Sequence, residues 1–193
     1  MNETFKKLTE IIHSRRAVYP MNYISGEIDN QLIEAVLENA RWAPTHKKTQ
    51  PWRYVVITGK SLVNLSEYLS DYYKKSTPQN EFSEIKWKKA GERPLQSACV
   101  IAICIERSPE TVIPAWEETA AVACSVQNLW LSASALGIGS YWSTPGAIQG
   151  INDFLSLTEN QSCLGLFYMG WMKKEIELKS DRKPISEFTR WLN

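Results

Sequence analysis

An α+β or α/β sandwich is the fold class that this 193-residue sequence predicts, and three observations predict it. Apolar runs of strand length alternate along the chain with segments of helical periodicity. One run, residues 98–105, is apolar at every position, which implies cover on both faces of a strand. A long helical segment, residues 116–136, is small or apolar on nearly every side: Ala120, Ala121, Ala123, Cys124, Val126, Leu129, Leu131, Ala133 and Ala135. Such a helix must be buried, at the centre of the core or at a subunit interface. Both of its faces are hard to cover from within a chain of this length, which favours a dimer interface.

The elements follow in order. Residues 4–15 place Phe5, Leu8, Ile11 and Ile12 at helical spacing and end in Arg15-Arg16. Asp29 reads as the N-cap of a helix carrying Leu32, Ile33, Val36, Leu37 and Ala40 on one face, and Pro44 stops it. After a polar loop, residues 54–58 read as a buried strand closed by Gly59, followed by a helix over 61–73. Residues 74–94 are polar, weakly periodic and rich in Lys and Trp. They read as a mobile excursion with one helical stretch, either a lid over a ligand or an ordinary surface insertion. Gly137-Ile138-Gly139 ends the long apolar helix and Ser140-Tyr141-Trp142 starts another strand. Residues 151–157 read as helical, 163–170 as a buried strand, and 185–192 as a short amphipathic segment. With no internal repeat or low-complexity stretch, the chain reads as one domain, 1–193.

Several function classes are disfavoured by composition. Hydrophobic residues make up 44% and charged residues 22%, the balance of a globular protein rather than a disordered one. A net charge of +1 without a basic run argues against a nucleic-acid or membrane footprint. It also counts against a Trp-rich single-strand binder, which needs a basic groove beside its rings. Cys99, Cys104, Cys124 and Cys163 lack CxxC spacing or a His partner and read as buried free thiols in a reducing cytoplasm. The N-terminal residues lack an apolar core of signal-peptide length, and no window approaches about 18 uninterrupted apolar residues. His13 and His46 alone cannot make a metal site. Eight tryptophans add core and interface area, with stacking platforms for a planar ligand as a further use.

The chemistry concentrates in two places. Arg15-Arg16 stands at a helix end; guanidinium forks bind phosphate bidentately and stay charged at every working pH. Residues 42–54 form a donor-rich loop bracketed by Pro44 and Pro51. Within it Gln50 can pair with a ring carbonyl or nitrogen, and Lys48 supplies a cation that would favour an anionic reduced ring. Gly137-Ile138-Gly139-Ser140 matches neither a dinucleotide fingerprint nor a phosphate loop and reads as a helix stop. There is no nucleophile elbow, no Ser/His/Asp order and no metal-ligand cluster in the sequence. A chain so short of acid–base groups leaves the hard step to a cofactor.

Ser14-Arg15-Arg16-Ala17-Val18-Tyr19, Ala43-Pro44-Thr45-His46-Lys47-Lys48-Thr49-Gln50-Pro51-Trp52-Arg53-Tyr54, Gly137-Ile138-Gly139-Ser140-Tyr141-Trp142 and Gly165-Leu166-Phe167-Tyr168-Met169-Gly170 stand in the order seen in the nitroreductase family. The His in the Ala-Pro-x-His loop resembles a compact subgroup of it. The resemblance implies an FMN-binding α+β homodimer. Each chain would have a central, mainly antiparallel sheet flanked by helices, with flavin at the subunit interface and long helices packed across the two-fold axis. By position, Arg15, Arg16 and Ala17 would hold the phosphate and ribityl end. Trp42, His46, Lys48 and Gln50 would line the ring or its tail, from differing subunits. Tyr141, Trp142 and Ser143 would cover one flavin edge, and Arg182 resembles a late phosphate-binding Arg. Ala17 replaces a usual Ser, and Tyr19 and Ser143 stand where Arg is found in relatives, so two positive charges are missing near the cofactor. The implied activity is FMN-dependent transfer of hydride from NADH or NADPH to a nitroaromatic, quinone or similar electron-poor acceptor, in ping-pong order. Action on enones or halogenated aromatics, and a non-catalytic flavin-binding dimer, stay open beside it.

Overall fold

The computed structural model describes residues 1–108, 113–173 and 180–192. Its strands are β1 (Tyr23–Ile24), β2 (Trp52–Ile57), β3 (Cys99–Glu106), β4 (Ile138–Ser143) and β5 (Gln161–Met172). Its helices are α1 (Glu3–Ser14), α2 (Asn30–Ala40), α3 (Lys60–Ser76), α4 (Glu84–Leu95), α5 (Ala115–Ala135) and the single turn α6 (Asn152–Leu155). Local chemistry sets the ends. The Asn2 and Asp29 side chains accept hydrogen bonds from the Phe5 and Gln31 amides and start α1 and α2. Gly137, at φ +75°, ends α5 as expected.

All strand pairings are antiparallel, and β5 is the hub: it pairs with β1, β3 and β4, while β2 extends the sheet beyond β3. The uninterrupted apolar run in β3 is covered on both faces, as its pattern requires. Cys99, Ile101, Ile103 and Ile105 point into a core shared with α2 and α5. Val100, Ala102 and Cys104 point into a second core built from α3, the segment around Ile151, and Tyr141 and Tyr168. The fold is therefore a three-layer arrangement with the sheet in the middle.

Helix α5 buries one face only. Ala121, Val122, Val126, Leu129 and Ala133 enter the core, whereas Trp116, Ala120, Ala123 and Cys124 lie exposed on the other side. Cys124 thus departs from the expectation of four buried thiols, because it falls on the face of α5 that no described element of its own chain covers; Cys99, Cys104 and Cys163 are buried and free. In the 74–94 stretch α3 continues to Ser76 and α4 begins at Glu84, capped by the Ser83 hydroxyl. At 185–192 the expected amphipathic segment is a single 3-10 turn at Ile185–Glu187, with Phe188, Trp191 and Leu192 exposed, since none of the described residues covers its apolar side.

The β3–β5 register slips between Ile103 and Cys104, opposite Gly165, whose φ is +149°. This bulge seats Trp142 of β4: a Cβ on Gly165 would stand 2.3 Å from Trp142 Nε1 and 2.7 Å from the Ser143 carbonyl oxygen. Both overpacking and backbone strain therefore oppose a side chain there. Gly165→Ala is expected to lower the thermal midpoint by about 5 °C or more. Gly146→Ala, where nothing lies within 4 Å of the added carbon, should leave the midpoint unchanged in the same calorimetric scan.

Candidate functional site

The segment leaving α1 is pinned to the sheet and to α5. The Val18 amide donates to the Ser140 carbonyl of β4 at 2.9 Å, and Trp130 Nε1 of α5 donates to the Arg16 carbonyl at 3.2 Å. Trp130 is held in turn by edge-on packing against Phe167 of β5, with ring centroids 5.4 Å apart. Its face carries the Arg15 guanidinium, 4.6 Å from the ring centroid, a cation–π contact. Arg16 Nη1 donates to the carbonyls of His13 and Arg15, while its Nε is buried without a partner. Burial first, then the charges of Arg182 and Arg16, pull the Arg15 guanidinium below the ordinary arginine value.

The charge of Arg182, from the far end of the sequence, is thus felt at Arg15, while Arg182 itself is exposed and donates to the Asp181 carbonyl. Among the described residues none of Arg15, Arg16 and Arg182 is in an ion pair. Guanidinium groups without an ion-pair partner among the described residues, one of them with a buried unsatisfied N–H, have the chemistry that suits a multiply charged anion. Ala17, exposed beside them, leaves the cluster open on that side.

Strand β4 lies next to this cluster, and its residues alternate between faces. Tyr141 is buried, stacked on Tyr168 at 5.1 Å and flanked by Tyr19 at 4.9 Å; its hydroxyl makes no hydrogen bond. Burial pushes the Tyr141 phenol up from its ordinary value. Trp142 packs toward the α5 side with its Nε1 unpartnered, and Ser143 is half-buried at the strand end. Thus Arg15, Arg16 and Ala17 lie beside β4, the strand of Tyr141, Trp142 and Ser143, and Arg15 feels the charge of Arg182. The Tyr141 ring itself belongs to the core.

The donor loop lies elsewhere. Its entry is anchored where α2 ends: Ser125 Oγ donates to the Ala40 carbonyl at 2.6 Å, Asn128 Nδ2 to the Asn39 carbonyl at 3.3 Å, and Asn39 Nδ2 to Ser132 Oγ at 3.0 Å. These α5 side chains satisfy acceptors that every helix C-terminus leaves open. Its exit is anchored by Arg53, whose fork grips Glu106 at 3.0 and 3.1 Å and whose Nη1 donates to the Gln50 carbonyl at 2.9 Å. The Gln161 amide and the Arg53 fork hold the Glu106 carboxyl below its ordinary value. Between these anchors Lys47, Lys48 and Gln50 have φ of +49°, +57° and +45°, a left-handed run that costs side-chain-bearing residues about 1–3 kcal/mol each. His46, Lys47, Lys48 and Gln50 are all exposed, with Thr49 between them at φ −64°. His46 Nδ1 meets Glu117 Oε2 at 2.5 Å, tying the loop to the first turn of α5. Trp42 is 72% exposed, with Nε1 on Glu38 at 3.1 Å and Arg41 over its ring.

Helix α5 is a ruler between the two groups. The loop is tied at Glu117 and the guanidinium cluster rests on Trp130, positions separated by about 20 Å at 1.5 Å per residue. One chain therefore does not bring all eleven expected site residues together. Trp130 and Glu117, which position the two groups, carry no local sequence signal beyond membership of the long helix.

Residues 12–171 match the family model described as the nitroreductase family. The Bacillus subtilis protein YfhC, named as a candidate NAD(P)H nitroreductase, is 26% identical over 185 residues, covering 93% of this chain and 91% of YfhC. The crystal structure of a nitroreductase-like family protein from Bacillus cereus superposes with a TM-score of 0.78 at 26% identity, covering 96% of this chain and 95% of that one. The FMN-dependent nitroreductase NfnB from Mycobacterium smegmatis, solved with NADPH, superposes at 0.81 with 18% identity, covering 99% and 100%. That last likeness speaks for the fold.

Proposed function

The chain belongs to the nitroreductase family, and on that premise we propose that it is an FMN-dependent NAD(P)H oxidoreductase that passes reducing equivalents to nitroaromatic, quinone-like or similar electron-poor acceptors in ping-pong order. The observation that carries the reading is the cluster of Arg15, Arg16 and Arg182, three guanidinium groups without an ion-pair partner among the described residues. FMN, when bound, would supply a two-electron carrier that accepts hydride from the nicotinamide and returns it to the acceptor. This chain's residues bind and orient it. The guanidinium forks take the phosphate, the Ala17 backbone flanks it, and β4 with Trp142 and Ser143 lies along the nucleotide.

His46, Lys48, Gln50 and Trp42 reach that nucleotide from a second copy. Two α5 helices packed antiparallel and crossing at Ala123 and Cys124, midway between Glu117 and Trp130, would set each chain's donor loop beside the other chain's guanidinium cluster. Small, exposed residues at the crossing and Trp116 beyond it support this pairing. Lys48 then contributes the cation that favours a reduced, anionic ring. The α3–α4 hairpin, which contains residues 74–94, serves as a cover on the opposite face. A cytoplasmic location is supported by the free cysteines; among the described residues no helix is long and apolar enough to cross a membrane.

Purified protein is expected to be yellow, with one FMN per chain, and to bleach anaerobically on addition of NADPH or NADH. Colour should return when a nitroaromatic or quinone is added. A colourless preparation indifferent to added FMN would overturn the proposal, and bound FMN that neither nucleotide bleaches would leave only a flavin-binding dimer.

A further inference from the structure

On the sheet face opposite α5, just past the end of β4, lies a cavity of about 260 Å³. Its walls include Tyr72 and Tyr73 of α3, Arg93 of α4, Pro145 and Gly146 after β4, and Tyr168 of β5. Rings and aliphatic carbons dominate, and among the described residues a single formal charge enters. Arg93 is half-buried, and among the described residues it is in no ion pair. Its charge reaches the phenols of Tyr168 and Tyr141, opposing the burial that pushes both upward. Those phenols stay protonated and able to donate. Tyr141, stacked directly behind Tyr168, has a buried hydroxyl without a partner.

A half-buried cation with no counter-charge among the described residues is unfavourable, and it marks a place where an anion would bind. The charge count selects that anion. One guanidinium with neutral phenol donors balances a single negative charge, whereas the Arg15, Arg16 and Arg182 cluster suits a phosphate. The volume is below that of pockets for larger ligands and suits one ring. Tyr72 and Tyr73 offer aromatic surface for that ring.

We propose that this cavity is a binding site for a small aromatic carboxylate, with the carboxylate on the Arg93 fork and the ring between the tyrosines. Its role as the acceptor pocket of a reductase rests on the function proposed above; the binding itself does not.

The test is calorimetric titration of the purified full-length protein, as isolated, with benzoate and with its neutral isostere benzamide. Neither probe requires turnover. Benzoate should bind about tenfold more tightly than benzamide, the scale of a charge-assisted pair. Arg93→Gln should lower benzoate affinity about tenfold, leave benzamide unchanged, and keep the full FMN content. Arg93→Lys retains the charge without the fork and should fall between the two; it decides the matter if the Gln variant does not fold. Equal binding of both probes to the wild type, or no effect of either substitution, would overturn the proposal. Loss of FMN from a folded Arg93 variant would also overturn it, by assigning Arg93 to the cofactor. Selective benzoate binding by a protein that takes up no FMN would uphold this site while removing the reductase reading.

Discussion

Arg15→Ala combined with Arg16→Ala is expected to yield a folded protein with less than about a tenth of the wild-type flavin, since each lost charge-assisted contact is worth about 1.5–3 kcal/mol. The two residues differ in their surroundings. Arg15 lies on the Trp130 ring and, among the described residues, makes no hydrogen bond through its side chain, so its removal takes charge and little scaffold. Arg16 also ties the His13 and Arg15 carbonyls, so its loss loosens the helix end as well. Arg15→Ala alone therefore reports the phosphate contact more cleanly, and Arg15→Lys should recover part of the affinity because it keeps charge without the fork. The measurements are flavin absorbance per chain and FMN titration by fluorescence, with circular dichroism to confirm the fold. Added inorganic phosphate should compete with FMN in the wild type and have little effect on the double variant. Stoichiometric flavin in the double variant would remove the phosphate site from these residues.

Ala123→Glu carries the second large effect. Ala123 is exposed in the single chain, so the substitution leaves the protomer's core intact. In the proposed antiparallel pairing it lies at the crossing, where two carboxylates would face each other out of water, a penalty of about 3–5 kcal/mol for uncompensated buried charge. The variant should be monomeric by light scattering, lose flavin although Arg15, Arg16 and Arg182 are untouched, and melt at a lower temperature through the loss of subunit linkage. A flavin-loaded monomer would contradict the composite site. Mixed dimers sharpen the test. A chain lacking Arg15 and Arg16 and a chain carrying Lys48→Ala and Gln50→Ala should together regain one competent site per dimer, because the intact cluster and the intact loop then face each other.

The sequence and the structure agree where local physics decides. Alternation and continuous apolar runs are sufficient for β2, β3 and β5, since a strand shows its burial in consecutive residues. Asp29 and Gly137 mark helix ends because capping acts within a few residues. Helix α4 carries a weaker local signal. Its buried positions are Gly91 and Pro94, neither of which signals a helix, and Gly91 is needed because a Cβ there would stand 2.4 Å from Ser70 Oγ of α3. The C-terminal segment, amphipathic by pattern, does not form the corresponding element, because none of the described residues covers its apolar side.

By itself the sequence determined the alternation of strands and helices, the two-sided burial of β3, and the residue types able to grip a nucleotide, all properties encoded within a few neighbouring positions. Only the tertiary structure decided how they assemble. It made Trp130 the platform of Arg15, let the charge of Arg182 act on Arg15 across most of the sequence, and set the His46 loop about 20 Å away along the same helix. It also left Arg93 beside Tyr168 in a cavity. Such convergence depends on which faces of distant elements are packed together, and side-chain packing across the sheet, not local periodicity, sets those distances.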